Sequence, residues 1–87
     1  MFLRSALRLA RWLGAFTASQ AAAYLGMPQE EAERRLDKLV EGGALRAVVI
    51  GGVKFYYRDP QEAAEVILES VDISALPREE REKLMRL

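Results

Sequence analysis

Three arginines recur along the first segment of the chain. Arg4, Arg8 and Arg11 are separated by four and then three residues, a spacing that places side chains on one face of a helix. Guanidinium groups in such a row can bind phosphates or pair with carboxylates. We expect the row to be solvated or to pair with the acidic tail, in the same chain or in a partner chain, rather than to contact a phosphate backbone. The candidate carboxylates of the tail are Glu62, Glu65 and Glu69.

A second basic group lies in the middle of the chain. Arg34, Arg35 and Lys38 could contact phosphates and base edges of DNA. They could instead form ion pairs along a helix, Glu30 with Arg34 and Glu31 with Arg35. The carboxylates that precede the group suit the positive end of a helix but would repel phosphate. These carboxylates are Glu30, Glu31 and Glu33.

Lys54 and Arg58 are further candidate phosphate contacts, with Arg46 on a neighbouring strand. Catalytic chemistry is not expected, because the chain has no histidine and no cysteine. Its serines therefore lack an imidazole base, and the usual ligands of zinc are missing. Gly51-Gly52 lacks the lysine and the spacing of a phosphate-binding loop. We expect no enzyme activity, no cofactor and no metal site.

The length and the charge pattern limit the organisation of the chain. Its 87 residues suffice for one hydrophobic core. The net charge is zero, but residues 1–58 hold nine Lys or Arg against five Asp or Glu, whereas residues 59–87 hold four against eight. No stretch approaches the roughly 20 apolar residues of a membrane span. Arginines interrupt the apolar segment Met1–Leu13, and no cleavage site follows it, so we expect a cytoplasmic protein without a leader.

Helical periodicity and end signals predict three helices in the first half of the chain. The first ends at Gly14, and its core-facing residues would be Phe2, Leu3, Ala6, Leu9, Ala10 and Leu13. Thr17 and Gln20 have the spacing of a capping box that begins a helix over 18–25. Gly26 would end this helix, and Pro28 would lie in the first turn of the next. That third helix would bury Ala32, Leu36, Leu39 and Val40 before it ends at Gly42-Gly43.

The second half begins with a predicted β-hairpin. Residues 45–50 and 53–58 are rich in β-branched and aromatic side chains, and Gly51-Gly52 joins them. Both faces of this hairpin are largely apolar, so one face would cover the helices and the other would have a surplus of hydrophobic surface. Asp59 and Pro60 then predict another helix. Asp72 or Ser74 would cap a last helix that runs through Pro77, Glu80 and Leu84.

The stretch from Thr17 to Leu45 resembles the helix-turn-helix of winged-helix transcriptional regulators, particularly the broad ArsR/MarR-like group. The matching residues are Ala21 to Ala23, Leu25-Gly26, Leu36, Leu39 and Gly43 to Leu45. With the hairpin as the wing, the resemblance covers about half of the chain. It implies a mainly α fold with a small β-hairpin, a three-helix core plus wing, and a C-terminal helical extension. The winged helix-turn-helix domain would span 1–58 and the extension 59–87.

The resemblance also implies a function. The second helix of the motif would lie in the major groove of double-stranded DNA, and flanking helices would build a homodimer. Gln29 matches the family's position for an amide that could read adenine. The expected DNA contacts are Gln29, Arg34, Arg35, Lys38, Lys54 and Arg58. The expected dimer or partner interface contains Phe2, Trp12, Tyr56, Ile67 and Leu68.

We therefore expect a dimeric, DNA-binding transcriptional regulator. The alternative is a winged-helix protein-protein interaction module of a larger complex that does not bind DNA. Such a module would dock a protein partner through the apolar hairpin or the acidic tail, and the neutral overall charge favours it.

Overall fold

The computed structural model describes all 87 residues as a mainly helical chain with one small antiparallel sheet. The helices are α1 (Phe2–Leu13), α2 (Ala18–Leu25), α3 (Gln29–Glu41), α4 (Pro60–Ser70) and α5 (Arg78–Met85). The strands are β1 (Ala15–Phe16), β2 (Arg46–Ile50) and β3 (Val53–Tyr57). None of the helices combines the length and apolar character that a membrane span requires.

α1 buries a narrower stripe than its periodicity predicts. Ala6, Leu9 and Ala10 are buried, whereas Leu3 is 43% exposed, so the prediction that Leu3 faces the core is wrong. Leu3 lies at the margin of the stripe, where no other element covers it. Gly14 ends the helix as expected: its φ is +78°, and its N–H donates a hydrogen bond to the carbonyl of Ala10.

α2 and α3 are joined by a tight turn. The predicted capping box is confirmed, because Thr17 Oγ1 accepts from the Gln20 N–H at 3.2 Å and the Thr17 N–H is donated to Gln20 Oε1 at 2.9 Å. Gly26 then adopts a left-handed conformation with φ +68° and ends α2. Pro28 lies immediately before the first residue of α3 rather than within its first turn, and its carbonyl accepts from Ala32.

The three strands lie in the order β1-β3-β2. The predicted hairpin is confirmed: Ile50 is opposite Val53, and only Gly51 and Gly52 connect them. Both glycines have positive φ angles, +60° and +79°, which are typical of a type I′ turn. β1 pairs with β3 through Phe16 and Tyr56, so the end of α1 is joined directly to the sheet.

Each face of the sheet covers a separate hydrophobic cluster. One cluster lies between the sheet and α1, α2 and α3, and Tyr56, Leu45 and Phe16 belong to it. The other lies between the opposite face and the tail; it includes Ile50, Phe55, Tyr57, Ala63, Ile67, Leu76 and Leu84. The hydrophobic surplus of the hairpin is therefore covered by the same chain.

This arrangement corrects two interface predictions. Tyr56 and Ile67 were expected at a dimer or partner interface, but both are fully buried inside the chain. Tyr56 packs against the helices, and Ile67 packs in the tail cluster. The prediction is wrong for both residues because the tail folds back over the hairpin and leaves neither side chain at the surface.

The tail consists of α4, a short 3₁₀ turn at Ile73–Ala75, and α5. Asp59 caps α4 by accepting from the Gln61 N–H at 2.9 Å. Asp72 accepts from the N–H and the hydroxyl of Ser74, which lowers the pKa of the Asp72 carboxyl. The single last helix predicted through Pro77 is wrong, because Asp72 caps only the 3₁₀ turn and α5 begins after Pro77.

α5 is attached to the tip of the hairpin by polar contacts. The Gly51 N–H donates a hydrogen bond to Glu80 Oε1 at 2.9 Å, and Lys83 Nζ donates one to the Val49 carbonyl at 2.8 Å. Lys83 also pairs with Glu80 at 2.9 Å. The bonds from Lys83 and Gly51 lower the pKa of the Glu80 carboxyl. The hairpin tip is thus held by the tail of its own chain.

Candidate nucleic-acid interface

The outer face of α3 presents two cations with no intramolecular partner. Ala32 and Leu36 are the buried residues of this helix, so Arg34 and Lys38 lie on the side away from the core. Both are exposed, and neither forms an ion pair within 4 Å. The expected pair between Glu30 and Arg34 is therefore not formed. Arg34 and Lys38 remain available for an anionic ligand.

Arg35 is occupied by its own chain. Its guanidinium pairs with Glu31 at 2.8 Å, which confirms the predicted pair four residues apart. The same guanidinium lies 5.5 Å from the centre of the Phe2 ring, a cation–π contact between α3 and α1. Arg35 thus faces α1 rather than the outer surface of α3, and Phe2 is half-buried beneath it.

Lys54 is also held by an intramolecular contact, through Asp37 of α3. Lys54 Nζ and the Tyr56 hydroxyl both lie 2.7 Å from Asp37 Oδ1. Partial burial raises the pKa of the Asp37 carboxyl, but hydrogen bonds from Lys54 and Tyr56 outweigh this effect and hold it below its usual value. Burial and the bond to Asp37 raise the pKa of the Tyr56 hydroxyl. The network fastens the hairpin to α3.

Sequence reasoning missed Asp37. The available signal was indirect: a tyrosine hydroxyl on a buried strand needs a hydrogen-bond partner. Asp37 lies 19 residues before Tyr56, so no local pattern connects the two. The structure shows that the fourth carboxylate of α3 belongs to the contact with the hairpin.

Gln29 lies in a cleft between the first turn of α2, α3 and the hairpin. The cleft has a volume of about 350 Å³, and Glu33, Lys54 and Tyr56 also line it. Two predicted contacts, Gln29 and Lys54, therefore come together here. Glu33 and Asp37 offset the charge of Lys54 at this place, which makes the cleft a poor phosphate site on electrostatic grounds.

The charge of α3 limits what the helix can bind. It carries five carboxylates against three cations, and only Arg34 and Lys38 among the cations are unpaired. Phosphate contact is therefore restricted to the middle of the helix, because the first turns are acidic. The five carboxylates are Glu30, Glu31, Glu33, Asp37 and Glu41.

Arg58 lies at a different place from the other predicted DNA contacts. It lines a groove between α1 and the start of α4, together with the arginine row of α1. We call this site the arginine groove; it has a volume of about 520 Å³. Its lining residues are Arg4, Leu7, Arg8, Ala10, Arg11, Arg58, Asp59 and Glu62. No residue of α3 belongs to it.

The expected pairing of the arginine row with the acidic tail is not formed within the chain. None of Arg4, Arg8 and Arg11 has a carboxylate within 4 Å. Glu62 and Asp59 line the same groove without reaching ion-pair distance. Within the chain these arginines are therefore unpaired, and pairing with the acidic tail of a partner chain stays a prediction.

Exposed aromatic surface is concentrated at the ends of α1 and α2. Trp12 is 70% exposed and Tyr24 is 47% exposed. Their ring centres are 6.3 Å apart. On α4, Leu68 is 46% exposed. Of the residues expected at an interface, Trp12 and Leu68 are thus at the surface, Phe2 is half-buried, and Tyr56 and Ile67 are inside.

No three Asp or Glu side chains are arranged so that they could hold a metal ion together. Comparison with protein-family models, with curated proteins and with solved structures finds no match.

Proposed function

We propose that the chain is a winged helix-turn-helix protein that binds duplex DNA, with α3 as the recognition helix. The order of elements supports this proposal: α2 and α3 meet at a tight turn, a hairpin follows, and β1 pairs with β3. The resemblance of residues 17–45 to winged-helix regulators supports it independently. The observation that carries the proposal is the unpaired, exposed pair of cations Arg34 and Lys38.

Arg34 and Lys38 are suited to phosphate contact. They lie four residues apart, so their backbones are separated by about 6 Å along the helix axis. Both charges are free to displace counterions from the DNA backbone, which strengthens binding at low salt. Gln29, at the start of α3, supplies an amide that could pair with adenine. The hairpin contributes less, because Asp37 holds Lys54 and α5 holds the tip.

The proposal is tested by duplex binding as a function of salt. We expect the parent protein to bind random duplex DNA at about 50 mM salt, with affinity falling as salt rises. Replacing both cations, Arg34→Gln with Lys38→Gln, should reduce the magnitude of the salt slope by about 2. The matched control is Arg78→Gln with Arg86→Gln, which removes the same charge from the tail and should leave the slope unchanged.

The absence of duplex binding at low salt would overturn the proposal. The alternative of a protein-interaction module would then have to rely on surfaces other than the hairpin faces, since the chain itself covers both. Among the large apolar side chains of the hairpin, only Val49 and Val53, near its tip, remain exposed. The exposed ring pair Trp12 and Tyr24 is the surface that favours this alternative.

We also propose that the protein is a homodimer. The family resemblance implies a dimer built by flanking helices, and Trp12 on α1 and Leu68 on α4 offer apolar surface there. Aromatic side chains of this kind are enriched where subunits meet. Sedimentation should give twice the chain mass of 9.8 kDa, and Trp12→Gln should shift the equilibrium toward monomer. A parent protein that sediments as a monomer at high micromolar concentration would contradict the dimer.

A further inference from the structure

Four arginines from two separate parts of the chain line the arginine groove. Arg4, Arg8 and Arg11 come from α1, whereas Arg58 follows β3. Helical spacing alone explains why the first three share a face. Only the tertiary structure brings Arg58 beside them, because β3 ends where α4 begins to cross the end of α1.

The groove retains a net positive charge. No carboxylate lies within 4 Å of any of its arginines. Asp59 already accepts the Gln61 N–H at the start of α4, and Glu62 is the other acidic residue of the lining. Four guanidinium groups thus face two carboxylates. An anion bound here would compensate charges that the chain leaves uncompensated.

The basic surface continues beyond the groove. A smaller hollow of about 140 Å³ lies next to it and is lined by Arg46 and Arg58, with no acidic residue among its lining. Its other lining residues belong to the loop after α3, at Gly43, Ala44 and Leu45. Arg58 lines both cavities. Together the two cavities are lined by five arginines, which we call the arginine track.

The shape of this track favours a linear polyanion over a compact ligand. Arg4 and Arg11 alone are separated by about 10.5 Å along the axis of α1, and Arg58 and Arg46 add two guanidinium groups from another part of the chain. Guanidinium groups bind phosphate oxygens through two parallel hydrogen bonds. The uncharged part of the groove is Leu7 and Ala10, which offer no ring on which a base could stack. The groove is therefore suited to phosphates rather than to bases.

We propose that the arginine groove binds the phosphate backbone of DNA, as a second contact separate from the outer face of α3. The proposal rests on the proposed DNA-binding function, and it assigns a further part of the electrostatic affinity to α1 and Arg58. Contacts of this kind position a protein on the duplex without reading its sequence. They supply the attraction for phosphate that the acidic first turns of α3 cannot provide.

The test compares two double variants on the same random duplex. Arg8→Gln with Arg11→Gln neutralises the groove, and Arg34→Gln with Lys38→Gln neutralises α3. We expect the groove variant to reduce the magnitude of the salt slope by about 2. Its affinity deficit should then be about tenfold larger at 50 mM than at 200 mM salt. All four side chains are exposed, and circular dichroism would verify that both variants are folded.

A second pair of variants changes the charge in the opposite direction. Glu62→Gln removes a carboxylate that lines the groove and should strengthen duplex binding. Glu69→Gln removes the same charge from the exposed side of α4, outside the groove lining, and should change the affinity less, because salt screens exposed charges beyond about 10 Å. Equal effects of the two variants would overturn the proposal, since only net charge would then matter.

The outcomes separate this proposal from the proposed function of α3. If only the groove variant weakens binding, the groove proposal holds and the role of α3 as recognition helix fails. If only the α3 variant weakens binding, the groove proposal is overturned while the recognition helix stands. Loss in both variants supports both proposals. A parent protein that binds no duplex overturns both.

Discussion

At the scale of single residues, the carboxylate of Asp37 holds Lys54 in an intramolecular contact. Asp37 accepts from Lys54 and from the hydroxyl of Tyr56, both at 2.7 Å. The ring of Tyr56 is fully buried, so its hydroxyl needs an acceptor at this position. Asp37 supplies that acceptor and neutralises Lys54 at the same time. These contacts attach the hairpin to α3, and they leave Lys54 without a free charge for a ligand.

The lowered pKa of Asp37 predicts a contribution to acid unfolding. Because the unfolded chain binds a proton to this carboxyl more readily, its stabilising effect is fully present above its unfolded pKa of about 3.9. The effect is lost as the pH falls through the lower folded pKa. Asp37→Asn should lower the unfolding free energy at neutral pH by about 1 to 2 kcal/mol and remove this part of the acid dependence.

Urea unfolding between pH 2 and pH 7 would measure both effects. Glu41→Gln is the matched control, since it removes one negative charge from the same helix and Glu41 forms no ion pair. We expect its pH profile to follow that of the parent protein. An unchanged acid profile in Asp37→Asn would contradict the assigned role.

At the scale of elements, the junction between α1 and β1 depends on a glycine. Gly14 has a φ of +78°, and a Cβ at this position would lie 2.9 Å from Val66 Cγ2 of α4. Gly26, at the end of α2, has a similar φ of +68°, but a Cβ there would meet no atom within 4 Å. Both glycines have a positive φ, but Gly26 is in the left-handed helical region with a ψ of +40°, whereas Gly14 lies outside it with a ψ of −45°. They differ in packing as well.

This difference leads to a comparison of two alanine variants. Alanine in the left-handed helical conformation of Gly26 costs about 1 to 2 kcal/mol. Gly14→Ala should cost about 1 to 3 kcal/mol more than Gly26→Ala, because the new methyl group overpacks the contact with α4 and because φ and ψ of Gly14 lie outside the regions that alanine adopts. Equilibrium unfolding measures both free energies. Adding Val66→Ala should recover part of the extra loss in Gly14→Ala, and equal losses in the two glycine variants would argue against the contact.

At the scale of the whole molecule, the sheet joins two hydrophobic clusters. Tyr56 faces the cluster of α1, α2 and α3, whereas its neighbours Phe55 and Tyr57 face the tail. Successive side chains of β3 point to opposite faces of the sheet, so each cluster contains the side chains of one face. Residues 59–87 are consequently part of the packing that holds the hairpin, and we expect the two clusters to unfold together.

Leu84 tests this expectation, because it is the buried residue of α5. Leu84→Ala should lower the unfolding free energy of the whole chain by about 2 to 4 kcal/mol. Met85→Ala is the control, since Met85 is 81% exposed, and it should be close to neutral. Trp12 fluorescence on α1 and far-ultraviolet circular dichroism should report the same transition. A tail that melts before Trp12 responds would contradict the shared core.

Elements whose signals are local can be predicted from the amino-acid sequence alone. The capping box of Thr17 and Gln20, the end of α2 at Gly26 and the hairpin at Gly51-Gly52 all depend on residues within four positions of each other. Backbone conformation and first-turn hydrogen bonds are decided over that distance. The exposed arginine row of α1 belongs to the same class, because its face follows from helical spacing alone.

The surfaces and charges that remain free depend on long-range packing. It buried both faces of the hairpin under different elements, tied Lys54 to Asp37 across 17 residues, and brought Arg58 to the arginine row rather than to α3. Such contacts join residues far apart in the chain, so they depend on how the elements pack. For this reason helical spacing alone predicted the basic faces of the helices, whereas their packing determines which of the cations are left unpaired.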